Sequence, residues 1–264
     1  MSGYEYVLIE REAGIGTITL NRPDKLNAFS GRMRQEVAQA VREVADDEAV
    51  RVLVITGVGR AFCAGADIAY MRELFEQEDW ENAAGLVEAG RDVVSTIRAV
   101  AKPVIASVNG PAAGAGANLA LACDVRIASD RATIGETFNR IGVHPDWGGI
   151  YFLPRLVGES KALELIFSGE MIDAAEANRL GLFNRVVAHE SLEQETAAHA
   201  RMLAAKPPIA LALAKRAIYQ SGSMDLPDVL QMELEHQMQC FKSEDAKEGM
   251  RAFLEKRPPS FRGT

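Results

Sequence analysis

Two short apolar runs, RVLVIT at 51–56 and PVIASV at 103–108, each lead into a segment of small residues and then into a helix-forming stretch. Apolar runs of this length bounded by turn residues read as strands buried on both faces. Strands that alternate with helices over short connections build a parallel sheet flanked by helices. The first small-residue segment is Gly59-Arg60-Ala61-Phe62-Cys63-Ala64-Gly65-Ala66-Asp67-Ile68. The second is Asn109-Gly110-Pro111-Ala112-Ala113-Gly114-Ala115-Gly116-Ala117-Asn118. Segments this small bring backbone amides close to a ligand, and each runs into a helix start whose first N–H groups lack internal partners. Two amides converging on one point would hold a developing oxyanion, each donor being worth roughly 3–4 kcal/mol. Tight packing of a helix on the sheet explains either segment alone; their pairing favours the chemical reading.

The remaining pattern completes an α/β chain. Tyr6–Glu10 and Ile15–Leu20 read as a hairpin turning at Gly14, and Ser30 stands where it would cap a helix carrying Met33, Val37, Val41 and Val44 on one face. A helical stretch from Ile68 to about Val100 is expected, then a helix opening near Ala115 and a strand over Asp124–Ala128. After a short strand at Phe183–Val187 the chain reads as helical to its end, over 191–205, 208–219, 227–238 and 243–255. The expected organisation is an α/β core over 1–200 whose helical region, 201–264, closes the site and joins subunits. At about 100–200 residues per domain, 264 residues accommodate one such unit.

Charge and motif content exclude several functions. Lys and Arg total 29 against 37 Asp and Glu, a net charge of −8 that opposes broad contact with a phosphate backbone, so no nucleic-acid partner is expected. No apolar run nears the roughly 18 residues that cross a bilayer, and MSGYEYVLIERE lacks the basic-then-apolar order of an export signal. Three cysteines without a CxxC fit a reducing compartment, and the expected location is the cytoplasm. His144, His189, His199 and His236 do not cluster, HExxH is absent, and no metal site is expected. There is no GxxxxGK[ST], and Gly14-Ile15-Gly16 precedes a strand where a dinucleotide fingerprint needs a helix.

Several segments stand in a telling order: LNRPDKLNA at 20–28, AFCAGADI at 61–68, VNGPAAGAGANLALACDVRIAS at 108–129, PDWGG at 145–149 and LPRLVG at 153–158. Together, and with the FLEKRPPSF tail, they resemble the enoyl-CoA hydratase/isomerase family, the crotonase superfamily, from about residue 5 onward. The resemblance implies a crotonase fold of repeated ββα units and a C-terminal helical region that forms a homo-trimer, frequently a dimer of trimers. It implies an acyl-CoA thioester as substrate, with coenzyme A part of the substrate rather than a prosthetic group. Carried over by position, the oxyanion amides are those of Ala66 and Ala115, the latter where the family more often has the middle glycine of a GGG run. Coenzyme A would lie against Lys25, Leu26, Ala28, Ala64, Asp67 and Ile68, with Lys25 a flexible point charge for a phosphate. Phe253 and Lys256 match tail positions that in relatives reach coenzyme A, sometimes from a neighbouring subunit.

The carboxylates decide the reaction. Hydratases of the family hold a water between two glutamates, at the positions of Asn118 and Phe138, and both are missing here. Each absent acid–base partner costs typically 10²–10⁴-fold. Asp146 matches a position at which several double-bond isomerases of the family carry an aspartate. One carboxylate suffices to remove the C2 proton of a 3-enoyl-CoA and return it at C4. Phe138, Ile141 and Trp147 would raise its pKa by desolvation; its alternative role is capping the next helix. Glu136 would share a face with Phe138 if 133–138 is extended, but ordinary glutamate behaviour places it on the surface or between subunits. Asn118 can hydrogen-bond a water without acting as its base, and His144 lines the pocket. Double-bond isomerisation is thus the leading expectation. A hydratase using Glu136 and Asn118 is the alternative, and an RNA-binding homologue using Arg32, Arg34 and Arg42 a remote one. Acyl specificity is expected to depend on a mobile 70–80 segment.

Overall fold

A computed structural model describes residues 3–264. The hairpin forms from β1 (Val7–Glu12) and β2 (Ile15–Leu20), antiparallel, and β2 then pairs in parallel with β3 (Val52–Gly57). Further parallel pairing adds β4 (Val104–Val108), β6 (Val125–Ser129) and β9 (Arg185–Val187), giving the order β1-β2-β3-β4-β6-β9. A second, three-stranded sheet contains β5 (Ala112–Ala113), β7 (Thr133–Gly135) and β8 (Ile172–Asp173). Successive side chains of a strand face opposite ways, so the apolar run at 52–55 feeds two cores. Leu53 and Ile55 join Val37 and Val41 of α1 (Met33–Asp46), Val93 and Ile97 of α3 (Trp80–Ala99) and Leu119 of α4 (Ala115–Ala122). Val52 and Val54 pack with Ile105 and Ile127 against Leu192 and Ala200 of α8 (Leu192–Ala204).

Between these lie α2 (Ile68–Glu76), α5 (Gly149–Val157), α6 (Glu159–Ser168) and α7 (Ala174–Arg179); α9 (Pro208–Ser221), α10 (Leu226–Phe241) and α11 (Glu244–Glu255) complete the chain. The last helices are tied to the core by polar contacts. Lys215 of α9 pairs with Asp124 at 2.8 Å, and Arg51 donates to the carbonyl of Phe261 at 3.2 Å.

Two local expectations, the Ser30 cap and a strand face shared by Glu136 and Phe138, are corrected. Ser30 does not cap α1: Gly31 turns the chain at φ +43, and the helix starts at Met33 without a side-chain cap. The helical stretch expected from Ile68 to about Val100 forms as two helices, because Glu78 adopts φ +52 and Asp79 caps α3 through the amide of Asn82. Extended structure ends at Gly135, and a 3₁₀ turn occupies Thr137–Ile141, so Glu136 and Phe138 do not share a strand face. The 70–80 segment, on which acyl specificity is expected to depend, comprises the end of α2, a short turn and the first residue of α3.

Candidate active site

The two small-residue segments meet. Cys63 and Ala112 form a parallel bridge, and the amide of Ala113 donates to the carbonyl of Cys63 at 3.0 Å. Any side chain would block this approach. A Cβ on Gly116 would stand 2.1 Å from the Cys63 carbonyl oxygen. One on Gly65, at φ +87, would stand 2.6 Å from that of Ala113 and 3.4 Å from the amide nitrogen of Ala115. Ala66 is bracketed by hydrogen bonds from Phe29 N to Gly65 O and from Asp67 N to Phe29 O. That pattern leaves its own N–H unused, and Ala115, first residue of α4, has an N–H with no helical partner. Both residues line a cavity of about 940 Å³.

The LNRPDKLNA turn braces this arrangement from behind. Asn27, buried and at φ +57, donates through Nδ2 to the carbonyls of Val58, Ala61 and Phe62 and accepts the Arg22 amide. Sequence reading passed it over, although asparagine is the residue best able to take a left-handed backbone and satisfy nearby main-chain groups. Asp67 caps α2 through the amides of Ala69 and Tyr70 and pairs with Arg22 at 2.7 Å. Its carboxylate therefore joins the turn to the AFCAGADI loop. Of the residues matched to coenzyme A, Ala64 and Ile68 line the cavity. Lys25 is exposed on its turn, Leu26 receives the amide of Ala64 at its carbonyl, and Ala28 is buried. Phe253 is 83% exposed and Lys256 ends α11, neither of them in the wall of this cavity.

Asp146 is the only carboxylate among the cavity-lining residues, alongside Phe138, His144 and Trp147. It does not cap α5, whose start at Gly148 has no side-chain cap. Its backbone is held instead: the carbonyl accepts Asn118 Nδ2 at 2.8 Å and the Gly149 amide at 3.1 Å. Trp147 adopts φ +50, a conformation that costs a side-chain-bearing residue roughly 1–2 kcal/mol. Stacking on Phe29 at 4.4 Å offsets this, and Gly90 makes room for the indole, since a Cβ there would stand 2.2 Å from it. Oδ1 of Asp146 is buried without a partner. Burial pushes the carboxyl up to about 6, opposed by its own backbone amide and by His144.

Glu136 and Asn118 are the main corrections. Glu136 is 3% exposed rather than on the surface, and neither residue lines the cavity. Asn118 stands between the two acids, its Nδ2 reaching Glu136 Oε2 at 3.3 Å as well as the Asp146 carbonyl, so its amide nitrogen helps to position Asp146, while its Oδ1 has no protein partner. Burial raises the Glu136 carboxyl to about 8. The folded state thus keeps a proton that the unfolded state releases near 4.5. Stability from this group is complete below that value and falls as pH rises toward 8, at about 1.4 kcal/mol per pH unit at most. Glu136→Gln is expected to melt several degrees above the parent at pH 8 and to differ little at pH 5. Parallel melting curves across that range would show Glu136 to be ionised in the fold.

Among the described residues no three His, Cys, Asp or Glu are grouped to hold a metal ion, and no helix is long and apolar enough to cross a membrane. The basic stripe needed for RNA does not exist as a surface: Arg34 is buried, and Arg42 pairs with Asp92 at 2.9 Å.

The chain as a whole is similar to known proteins. The family model described as enoyl-CoA hydratase/isomerase matches residues 10–264. The chain is 40% identical over 259 residues to the crotonyl-CoA hydratase of Syntrophomonas wolfei, covering 98% of both chains. It is 36% identical over 266 residues to the 1,2-epoxyphenylacetyl-CoA isomerase of Escherichia coli, covering 98% of this chain and 99% of that one. The crystal structure of an enoyl-CoA hydratase from Bacillus anthracis superposes with a TM-score of 0.94 at 35% identity, over 98% of this chain and all of that one. The α/β architecture is accordingly the crotonase fold, and the chain belongs to the enoyl-CoA hydratase/isomerase family.

Proposed function

We propose that the protein is a double-bond isomerase that converts 3-enoyl-CoA to 2-enoyl-CoA, with Asp146 as acid and base. The observation that carries this reading is that the cavity holding the two free amides is lined by one carboxylate, Asp146, whose Oδ1 has no partner. The thioester oxygen accepts the N–H groups of Ala66 and Ala115, which acidifies the C2 protons. Asp146 removes one of them, the amides hold the dienolate, and the same carboxyl returns the proton to C4, so no second acid is needed. The hydratase reading is supported by the buried Glu136 beside Asn118 and by relatives named hydratase, the crotonyl-CoA hydratase at 40% identity among them. Against it, that acid hydrogen-bonds Asn118 at 3.3 Å and is not among the residues lining the cavity.

Coenzyme A enters as part of the substrate, with Lys25, Leu26, Ala28, Ala64, Asp67 and Ile68 along its path. The exposed apolar side chains of α10, Leu226, Leu230 and Leu234, recur at every fourth residue and support self-association as a trimer or dimer of trimers. In such an assembly Phe253 and Lys256 are free to serve a neighbouring site. The acidic, cysteine-poor composition supports a cytoplasmic location. The test is an assay pair that follows conjugated thioester absorbance. A 3-enoyl-CoA is expected to gain absorbance rapidly, and a 2-enoyl-CoA to lose it slowly or not at all; fast hydration without isomerisation would overturn the reading.

A further inference from the structure

Arg34 lines the same cavity and takes no part in the proton shift. It lies in the first turn of α1, is 5% exposed, and has both Nε and Nη1 buried without a hydrogen-bond partner. A guanidinium cannot shed its charge by deprotonation, so an uncompensated one in the interior is among the costliest groups a fold can carry. The acid nearest in sequence is committed elsewhere. Glu36 accepts the amides of Glu5 and Tyr6 at 3.1 and 2.8 Å and faces Arg32 at 3.8 Å.

Most residues lining the cavity are apolar, Phe29, Met71 and Leu86 among them; Arg140 is a second guanidinium in its wall and, unlike Arg34, is exposed. Gly85 lets α3 approach, since a Cβ there would stand 3.4 Å from Arg34 Nη2. Apolar walls suit an acyl chain, and the fork of a guanidinium suits a carboxylate, which it binds through two parallel hydrogen bonds. Resting on the reading above, we propose that Arg34 pairs with a carboxylate at the far end of the acyl chain, so that the substrates are CoA thioesters of unsaturated dicarboxylic acids. Anchoring the chain at both ends, by the two amides and by Arg34, fixes C2 and C4 against Asp146 without further contacts along the chain.

Saturated acyl-CoAs, which no isomerase turns over, test this apart from the reaction. Hexanedioyl-CoA and octanedioyl-CoA are titrated calorimetrically against hexanoyl-CoA and octanoyl-CoA. At one length or both, the parent is expected to bind the dicarboxylic thioester at least about tenfold more tightly than its monocarboxylic counterpart. Arg34→Met is expected to abolish that preference while leaving monocarboxylic binding within about threefold. If Arg34→Met does not fold, Arg34→Gln, which removes the charge and keeps a polar end, carries the comparison. Equal binding of both series by the parent, or a preference that survives loss of the charge, overturns the proposal even if 3-enoyl-CoAs are isomerised. A preference that depends on Arg34 supports it, even in a protein that leaves every 3-enoyl-CoA untouched, a result that would defeat the isomerase reading alone.

Discussion

Asp146→Asn is expected to lower the isomerisation rate of a 3-enoyl-CoA by about 10²–10⁴-fold, with little change in substrate binding. The substitution is nearly isosteric and leaves the Asp146 carbonyl, which carries the hydrogen bonds from Asn118 and Gly149, in place. Only the proton acceptor is removed. In the parent, burial sets that acceptor near 6, and it acts as a base when ionised. The kcat/KM for a 3-enoyl-CoA should therefore be steady above neutrality and fall as pH drops through about 6, and the residual rate of Asp146→Asn should lack that limb. Stopped-assay rates from pH 5 to pH 8 measure both. A falling limb of the same shape in the variant would assign the titration to a group other than Asp146.

Ala115→Pro comes second in size. Proline removes the N–H at the first position of α4, where helices tolerate it because that amide has no helical partner. The loss of one oxyanion donor is expected to cost about 10²–10³-fold in kcat. Ala115→Gly keeps the N–H and should stay within a few-fold. Melting temperatures measured beside the rates separate chemistry from folding. An equal loss in both variants would mean that the Ala115 methyl, not its amide, matters to the site.

The parallel sheet and the two loops that build the oxyanion site were legible because apolar runs and small-residue segments are local signals. RVLVIT needs both of its faces buried wherever it sits in the sheet. Gly65 and Gly116 occupy points of backbone contact where a Cβ has no room. Asp146 stood out only through its place in the family pattern, since its own neighbourhood reads equally well as a helix cap. What escaped depends on tertiary context. Glu136 turns inward because the strand ends one residue earlier and a 3₁₀ turn begins one residue later, so the usual exposure of glutamate misleads. Arg34 resembled part of a basic surface stripe, and only the packing of α1 against α3 turns it into the cavity. The break at Glu78 needed a left-handed glutamate, which no local preference announces.

A 3-enoyl-CoA carrying two deuterium atoms at C2, turned over by the wild-type protein and examined by mass spectrometry and NMR, follows the proton itself. The expected product is a conjugated 2-enoyl-CoA of unchanged elemental composition with measurable deuterium at C4, delivered there by the one carboxyl of Asp146. Recovery of the 3-enoyl-CoA unchanged, from a protein that adds water to the matching 2-enoyl-CoA, would contradict it.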